Sequence, residues 1–557
     1  MSGDRLGATH GRGGVGCPWL PQSTRTNTSP VNPTPQVLIL GGGPAGAAAA
    51  RLLAQWGLEA VVVERSPDPD PAAPSLAESL PPSARKVLAA TGLLGVVEAG
   101  GFLPNSGNTA LWGGEGRRDD FAGGATGFHI LRSRLDRLLR GAAAEAGAEI
   151  VRGVARLPEQ GAEGDGWRVE VALDGGKRVE VRPHWLLDCT GRAGLLARRY
   201  RVLESEAPTL AVLRRYRNDS GWENVIATHA LVESFGRGWA WSVPTSETAR
   251  HVAVMLDPQL HAVMEGAADL SAAFEAEIAN TALMHSITTP AVSVGEAWAV
   301  TASMYTSSRF ASGRALLVGD AASFADPMSS YGVKKALASA WLAAVTVNTA
   351  IRTPELAETA ADFYGRREQA MYEALREGLA SQVAETGLGG EGAVGTGGSA
   401  NAGPGASASD DAFWDRRARW LADRPEAATD ANSPDGPSAE ALRDDPDVRA
   451  AFHALRLGSG QLRVGRRDTV DRPLVIGNRI RMAPALVTPR FPAGVRYFRD
   501  VDLLRVVHLA AGAANPGALY ETYSEWAARE DLPPVDLANF IGVVALLVAD
   551  GVLVPGR

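Results

Sequence analysis

The first ordered pattern in the chain is at residues 36–65, QVLILGGGPAGAAAARLLAQWGLEAVVVER, where an apolar run meets three glycines, an alanine-rich stretch and a second apolar run. Apolar runs without polar alternation belong to strands buried on both faces, so this segment predicts a strand–helix–strand unit of a parallel sheet. From 206 to 300 the pattern changes to alternation, as in TLAVLRRYR, VIATHALVES and HVAVMLD. That period predicts an antiparallel sheet forming a second layer. The stretch 314–337, RALLVGDAASFADPMSSYGVKKAL, runs from an apolar strand through Gly-Asp and small residues into a glycine-opened helix. Residues 354–385 keep a helical period and lead into a Gly/Ser/Ala-rich segment with the composition of a flexible linker.

The expected organisation has a disordered leader over 1–35 and a discontinuous parallel-sheet domain over 36–205 and 298–385. A substrate domain follows over 206–297, then a flexible linker over 386–411 and a C-terminal lid or docking module over 412–557. The fold class is α/β, a parallel-sheet domain joined to an antiparallel β-sheet domain and a mostly helical C-terminal module.

A chain of 557 residues is too long for one ordinary core. Its 45% hydrophobic and 21% charged residues are those of a globular enzyme. The net charge of −8 argues against a nucleic-acid partner, as do four arginines against eight acids over residues 499–557. Two cysteines, Cys17 and Cys189, give neither a disulfide framework nor a metal cluster, and the expected compartment is the reducing cytoplasm. The N-terminal stretch lacks an apolar signal core, and the longest apolar run, Phe540 to Ala549, is far short of the ~20 residues of a spanning helix. No membrane partner is expected.

Gly41, Gly43 and Gly46 fit G-x-G-x-x-G, with Pro44 and Ala45 between the last two. The first glycine serves the tight turn, the second a close approach of backbone to pyrophosphate, and the third helix–strand packing. Glu64, followed by Arg65, ends the next strand, where an acid accepts hydrogen bonds from ribose hydroxyls. Gly319-Asp320 places a second carboxylate at the carboxyl edge of the same sheet, before the amides of a helix start.

Together these stretches resemble the glutathione-reductase-type flavoproteins of the aromatic hydroxylase fold, over residues 36–385. In that family the aspartate matched by Asp320 holds the ribityl chain of FAD. WLLDCTGRAG is similar to the family's Asp-x-x-Gly-Arg segment, which implies a cofactor-binding role for Asp188, and HILRSRLDRLL places Arg132 near the flavin. Within the family, GWAWSVPT is similar to the Trp-x-Trp-x-Ile-Pro signature of flavin-dependent halogenases, with Trp239 and Trp241 in register. Two alternating indoles on a strand are equally ordinary core aromatics.

Three departures from the halogenases follow. Leu111 stands where their lysine captures hypohalous acid, Ser329 where tryptophan halogenases carry an acid, and Tyr331 where a threonine lies by the halide. AESLPPSARKVLAATGL, NSGNTALWGG and DPMSSYGVKKALASAWLAAV instead resemble the flavoprotein monooxygenases that hydroxylate tryptophan in a partner protein during quinone-cofactor maturation. This resemblance implies FAD, molecular oxygen as co-substrate, and electrons from NAD(P)H directly or through a separate flavin reductase. It implies attack by a C4a-hydroperoxyflavin on an aromatic substrate, a tryptophan of a peptide or protein. A halogenase or a geranylgeranyl-reductase-type flavin reductase are the alternatives.

The expected catalytic residues are Pro327, Ser329, Ser330, Tyr331 and Lys334, with Gly332 and Val333 against the flavin. Lys334 is a candidate because a cation in a helix's first turn opposes the dipole and needs a reason to be there. Trp112, Trp239, Trp241 and His251 are the expected substrate-side residues. His251 is either a proton acceptor or a satisfied structural histidine. No metal site and no general base are named.

Overall fold

The computed structural model describes residues 32–555 except 69–72, 162–165, 205–206, 224, 260–268, 388–411, 423–436, 438, 458–459, 531 and 533. Most of the expected leader and of the expected linker therefore lies outside the described residues.

Strand Val37–Leu40 is buried along its whole length at the middle of a nine-stranded sheet. It pairs in parallel with Ala60–Glu64 and Trp185–Asp188. Glu149–Ala155 extends the parallel set on one side and Ala315–Leu317 on the other. The carboxyl ends of these strands therefore share one edge, where the Gly41 turn, Glu64, Asp188 and the Gly319 turn collect. Helix Pro44–Gln55 packs against Arg132–Glu145 and Gly332–Arg352, its buried alanines allowing close approach.

The second sheet has seven strands in the order Val292–Thr301, Leu210–Arg217, Ala249–Leu256, Gly238–Pro244, His229–Phe235, Gly107–Trp112 and Glu115–Asp120. Two of them come from the segment expected in the first domain, and Val292–Thr301 crosses the expected boundary at 297. The reason is tertiary. Gly107–Trp112 and Glu115–Asp120 form a hairpin about Gly113 and Gly114, both at positive φ, and the hairpin joins the sheet by a parallel pairing with His229–Phe235.

The C-terminal region divides in two. Helix Ala412–Ala422 buries Phe413, Trp414, Trp420 and Leu421 in one cluster with Leu213, Trp239 and Met255 of the seven-stranded sheet. Residues 439–555 have a separate core around Phe540, Val543 and Leu547. That module is mostly helical but also contains the hairpin Asp468–Ile476/Arg479–Val487. The hairpin docks on helix Gly332–Arg352: the Ile480 amide donates to Thr349 Oγ1 at 2.8 Å, and Asn348 Nδ2 donates to the Asn478 carbonyl at 2.9 Å. Among the described residues, no helix is long and apolar enough to cross a membrane.

Candidate active site

One cavity of about 400 Å³ runs from the Gly41 turn to the face of the seven-stranded sheet. At its first end Gly41 adopts φ +92°, and a Cβ there would lie 2.6 Å from the Cys189 carbonyl oxygen. A Cβ on Gly46 would lie 1.9 Å from the Gly41 oxygen. Both positions require glycine. Gly43 differs, since a Cβ there would meet nothing nearer than Arg132 Nη2 at 3.9 Å. Gly43, Pro44 and Ala45 line the cavity, and their helix starts without a side-chain cap or an acid in its first turn. Such an uncapped start leaves backbone amides for an anion, the need of a pyrophosphate.

Glu64 is on the cavity wall, its oxygens accepting from the Gly42 amide at 2.7 Å and the Ser66 amide at 2.8 Å. Each oxygen keeps a lone pair for a ligand. Arg65 is exposed and off the wall. The buried arginine that braces the turn is Arg140, which donates to the Gly42 carbonyl at 3.0 Å and to the Pro67 carbonyl.

Asp188 is fully buried behind the wall. Its Oδ1 accepts from the Thr190 amide and hydroxyl, at 3.1 and 2.6 Å, and its Oδ2 from the amides of Leu196 and Ala197, at 2.7 and 2.9 Å. It thus shapes the segment Cys189–Arg192, which does line the cavity. Asp320 stands on the wall beyond Gly319, itself at φ +64°. Arg132 is also on the wall, held by Glu78 at 2.8 Å and Asp136 at 3.1 Å. Burial opposes its charge, but those two carboxylates prevail and raise its proton affinity.

The turn 326–331 forms the middle of the wall. Asp326 Oδ1 accepts from the Met328 amide at 3.0 Å, capping a 3₁₀ turn over Pro327–Ser329, and Ser330 follows in the left-handed region at φ 52°. Pro327, Ser330, Tyr331, Gly332 and Val333 all line the cavity. Lys334 does not. Its side chain is half-buried, and its ammonium donates to Ser83 Oγ at 3.0 Å and lies 4.3 Å from the centre of the Tyr331 ring. Lys335, one residue and roughly 100° further round the helix, is buried on the wall. It donates to the Gly319 carbonyl at 3.0 Å and to the Ser323 carbonyl, and lies 3.6 Å from Asp320 Oδ1.

The far end of the cavity is an apolar chamber of Leu213, Trp239, Val243, Met255, Val300 and Phe324, with Trp241 and Met328. Trp239 and Trp241 face it, paired in register with Met255 and Ala253. Trp112 is off the wall: its indole N–H donates to the Gln382 carbonyl at 3.1 Å and its ring meets Trp414 edge-on at 5.7 Å. Leu111 is off the wall too, and Asn108 is the residue of its strand that lines the cavity. His251 is buried off the wall, edge-on to Trp298 at 6.2 Å, and burial pushes it down to about 4.

Two arrangements had no signal in the sequence. Ser79 lines the cavity and bonds His129 Nδ1 at 2.9 Å, while His129 Nε2 lies 3.0 Å from the Thr228 carbonyl. A carbonyl only accepts, so Nε2 carries the proton, Nδ1 accepts the Ser79 hydroxyl, and Ser79 offers the cavity only its lone pairs. Burial keeps His129 neutral, pushed down to about 4. The second arrangement is the buried ion pair of Arg417 with Asp326, 91 residues apart.

The FAD binding domain family matches residues 34–362. A tryptophan 2-halogenase of Chondromyces crocatus is 28% identical over 348 residues, covering 59% of this chain and 64% of that protein. The match thus spans less than two thirds of that relative's length. Flavin-dependent halogenase armH3 of Armillaria mellea is 27% identical over 366 residues, 60% of this chain and 71% of that protein. Among solved structures, the flavin-dependent halogenase CmlS superposes with a TM-score of 0.67 at 21% identity, covering 94% of this chain and 96% of its own. The peptidyl tryptophan dihydroxylase QhpG gives 0.60 at 24% identity, covering 93% and 99%. These two likenesses are of fold, and they extend over the C-terminal region beyond the family match.

Proposed function

The chain belongs to the FAD binding domain family, among the FAD-dependent halogenases and monooxygenases, and from this premise we propose that it hydroxylates an aromatic ring, a tryptophan side chain of a peptide or protein. One observation carries the choice of hydroxylation. Among the described residues of the cavity wall the single lysine is Lys335, and its ammonium is committed to two backbone carbonyls beside Asp320. No other side-chain amine on that wall is available to form a chloramine. The substrate class follows the peptidyl tryptophan dihydroxylase of like fold, and the apolar, indole-lined chamber suits such a ring.

Bound FAD, once reduced, supplies the activation of molecular oxygen, with electrons from NAD(P)H directly or through a separate flavin reductase. The chain's own tasks are to bind, orient and exclude water. The Gly43 and Ala45 amides and Glu64 would hold the dinucleotide's phosphate and ribose end, and Asp320 with Arg132 the part nearer the turn. Leu213, Met255, Phe324 and Met328 keep the chamber dry. Ser79 Oγ, its proton committed to His129, would accept from an N–H or O–H in the cavity. The module 439–555 would serve as a docking surface for a macromolecular substrate.

The relatives similar in sequence, a tryptophan 2-halogenase and a flavin-dependent halogenase, favour a second reading, a halogenase. Oxygen uptake and product mass, measured with reduced FAD and a tryptophan-containing peptide in the presence and absence of chloride or bromide, separate the two. Hydroxylated product independent of halide is expected; a halogenated product that requires halide would overturn the proposal.

A further inference from the structure

We propose that Arg417 is a positioning residue of the active site, through which helix Ala412–Ala422 fixes the cavity turn 326–331. The helix lies outside the span of the family match, yet its arginine ends inside the molecule beside the cavity. The side chains of Arg417 and Asp326 are each 1% exposed. Arg417 Nη2 donates to Asp326 Oδ2 and, at 3.1 Å, to Thr209 Oγ1, while the guanidinium stacks 4.2 Å from the centre of the Phe413 ring.

Asp326 works in two directions. Its Oδ1 caps the turn through the Met328 amide at 3.0 Å, and its Oδ2 takes the arginine. Two residues after Met328, Ser330 occupies the left-handed region at φ 52°, a conformation that persists for a serine only where the surroundings over-determine it. Asp326, Pro327, Met328, Ser330 and Tyr331 all line the cavity. Removing the arginine takes from a buried carboxylate the guanidinium that pairs with its Oδ2. That group then takes up a proton, which weakens the cap by neutralising its acceptor, or swings into the cavity, which releases it; either response loosens the wall.

The helix has other anchors. Trp414 Nε1 donates to the Phe235 carbonyl at 2.8 Å, Trp420 Nε1 to Glu204 Oε2 at 2.8 Å, and Arg416 Nη1 to Asp257 Oδ2 at 2.9 Å. Arg417 can therefore be varied with the helix still seated.

The test is a full-length cycle of R417M, D326N and the double variant, with R417K alongside, read two ways. Amide hydrogen exchange of the FAD-free protein reports the turn, and visible circular dichroism with the Kd for FAD reports the site. R417M is expected to raise exchange at Met328–Tyr331 by about tenfold or more with helix Leu503–Ala510 unaffected, and to weaken FAD by roughly fivefold or more. The double variant, in which the buried carboxylate charge is removed together with the guanidinium, should recover part of both, and R417K should fall between parent and R417M. Exchange at the turn within about twofold of the parent in R417M overturns the proposal, whatever happens to FAD. Purely additive effects in the cycle overturn it as well. Should R417M fail to fold, R417K and the double variant are held to the same criteria. A parent chain that takes up no FAD would count against the flavin assignment alone, because the exchange arm needs no cofactor.

Discussion

Replacing Asp320 with alanine removes a wall carboxylate that Lys335 approaches at 3.6 Å. Loss of a hydrogen bond to a charged group costs about 1.5–3 kcal/mol, so the Kd for FAD should rise by roughly tenfold or more. Titration of the yellow absorption measures this, and an unchanged Kd would remove Asp320 from the site. Single residues also set the pH response. Burial pushes His129 and His251 from 6.5 down to about 4. The folded chain keeps both neutral where the unfolded chain takes up protons, so stability is full above about 6.5 and declines as pH falls toward about 4. Glu368, pushed up from 4.5 to about 7 by burial, acts oppositely and loses stability as pH rises through that window. H251Q should therefore shrink the stability difference between about pH 7 and about pH 5 by up to roughly 2 kcal/mol, read from urea unfolding. A slope unchanged by the substitution would show that His251 titrates normally.

The helical period divides the two lysines of Gly332–Arg352, sending Lys335 to the wall and leaving Lys334 half-buried off it, on Ser83 and Tyr331. K335M strands two carbonyls and Asp320, and the expected weakening of FAD is about tenfold. K334M should stay within about twofold, since it loses one exposed hydrogen bond. Equal effects of the two would contradict the orientation of this helix. In helix Ala412–Ala422, Trp414 is fully buried, with its N–H on the Phe235 carbonyl. W414A should cost about 3–5 kcal/mol of stability, seen as a lowered urea midpoint.

At the scale of the molecule, the module 439–555 has its own core and meets helix Gly332–Arg352 through the tip of one hairpin, where Ile480 is 1% exposed. A charge placed there is too costly to bury unpaired. I480D should lift the module away, raising the radius of gyration in X-ray scattering while the flavin band persists. If the proposed docking role is right, turnover of a protein substrate falls more than turnover of a free indole.

The sequence by itself determined which residues gather at the Gly41 end of the cavity, because the physics there is local. A tight turn needs Gly41, helix–strand contact needs Gly46, and strand ends place Glu64 and Asp320 within a few residues of the motif that announces them. It also held the parallel and antiparallel layers in its two hydrophobic periods. What only the tertiary structure decided is which side chains meet across the cavity. Trp112 and His251 read as substrate-side residues because each lies in a suggestive stretch. Folding instead turns Trp112 onto Trp414 and the Gln382 carbonyl, and His251 onto Trp298. Asp188 reads as a ligand but is used up on four local donors, the Thr190 hydroxyl and three backbone amides. Arg417 carries no signal at all, since a buried charge needs only a partner close in space, and Asp326 lies 91 residues earlier in the chain.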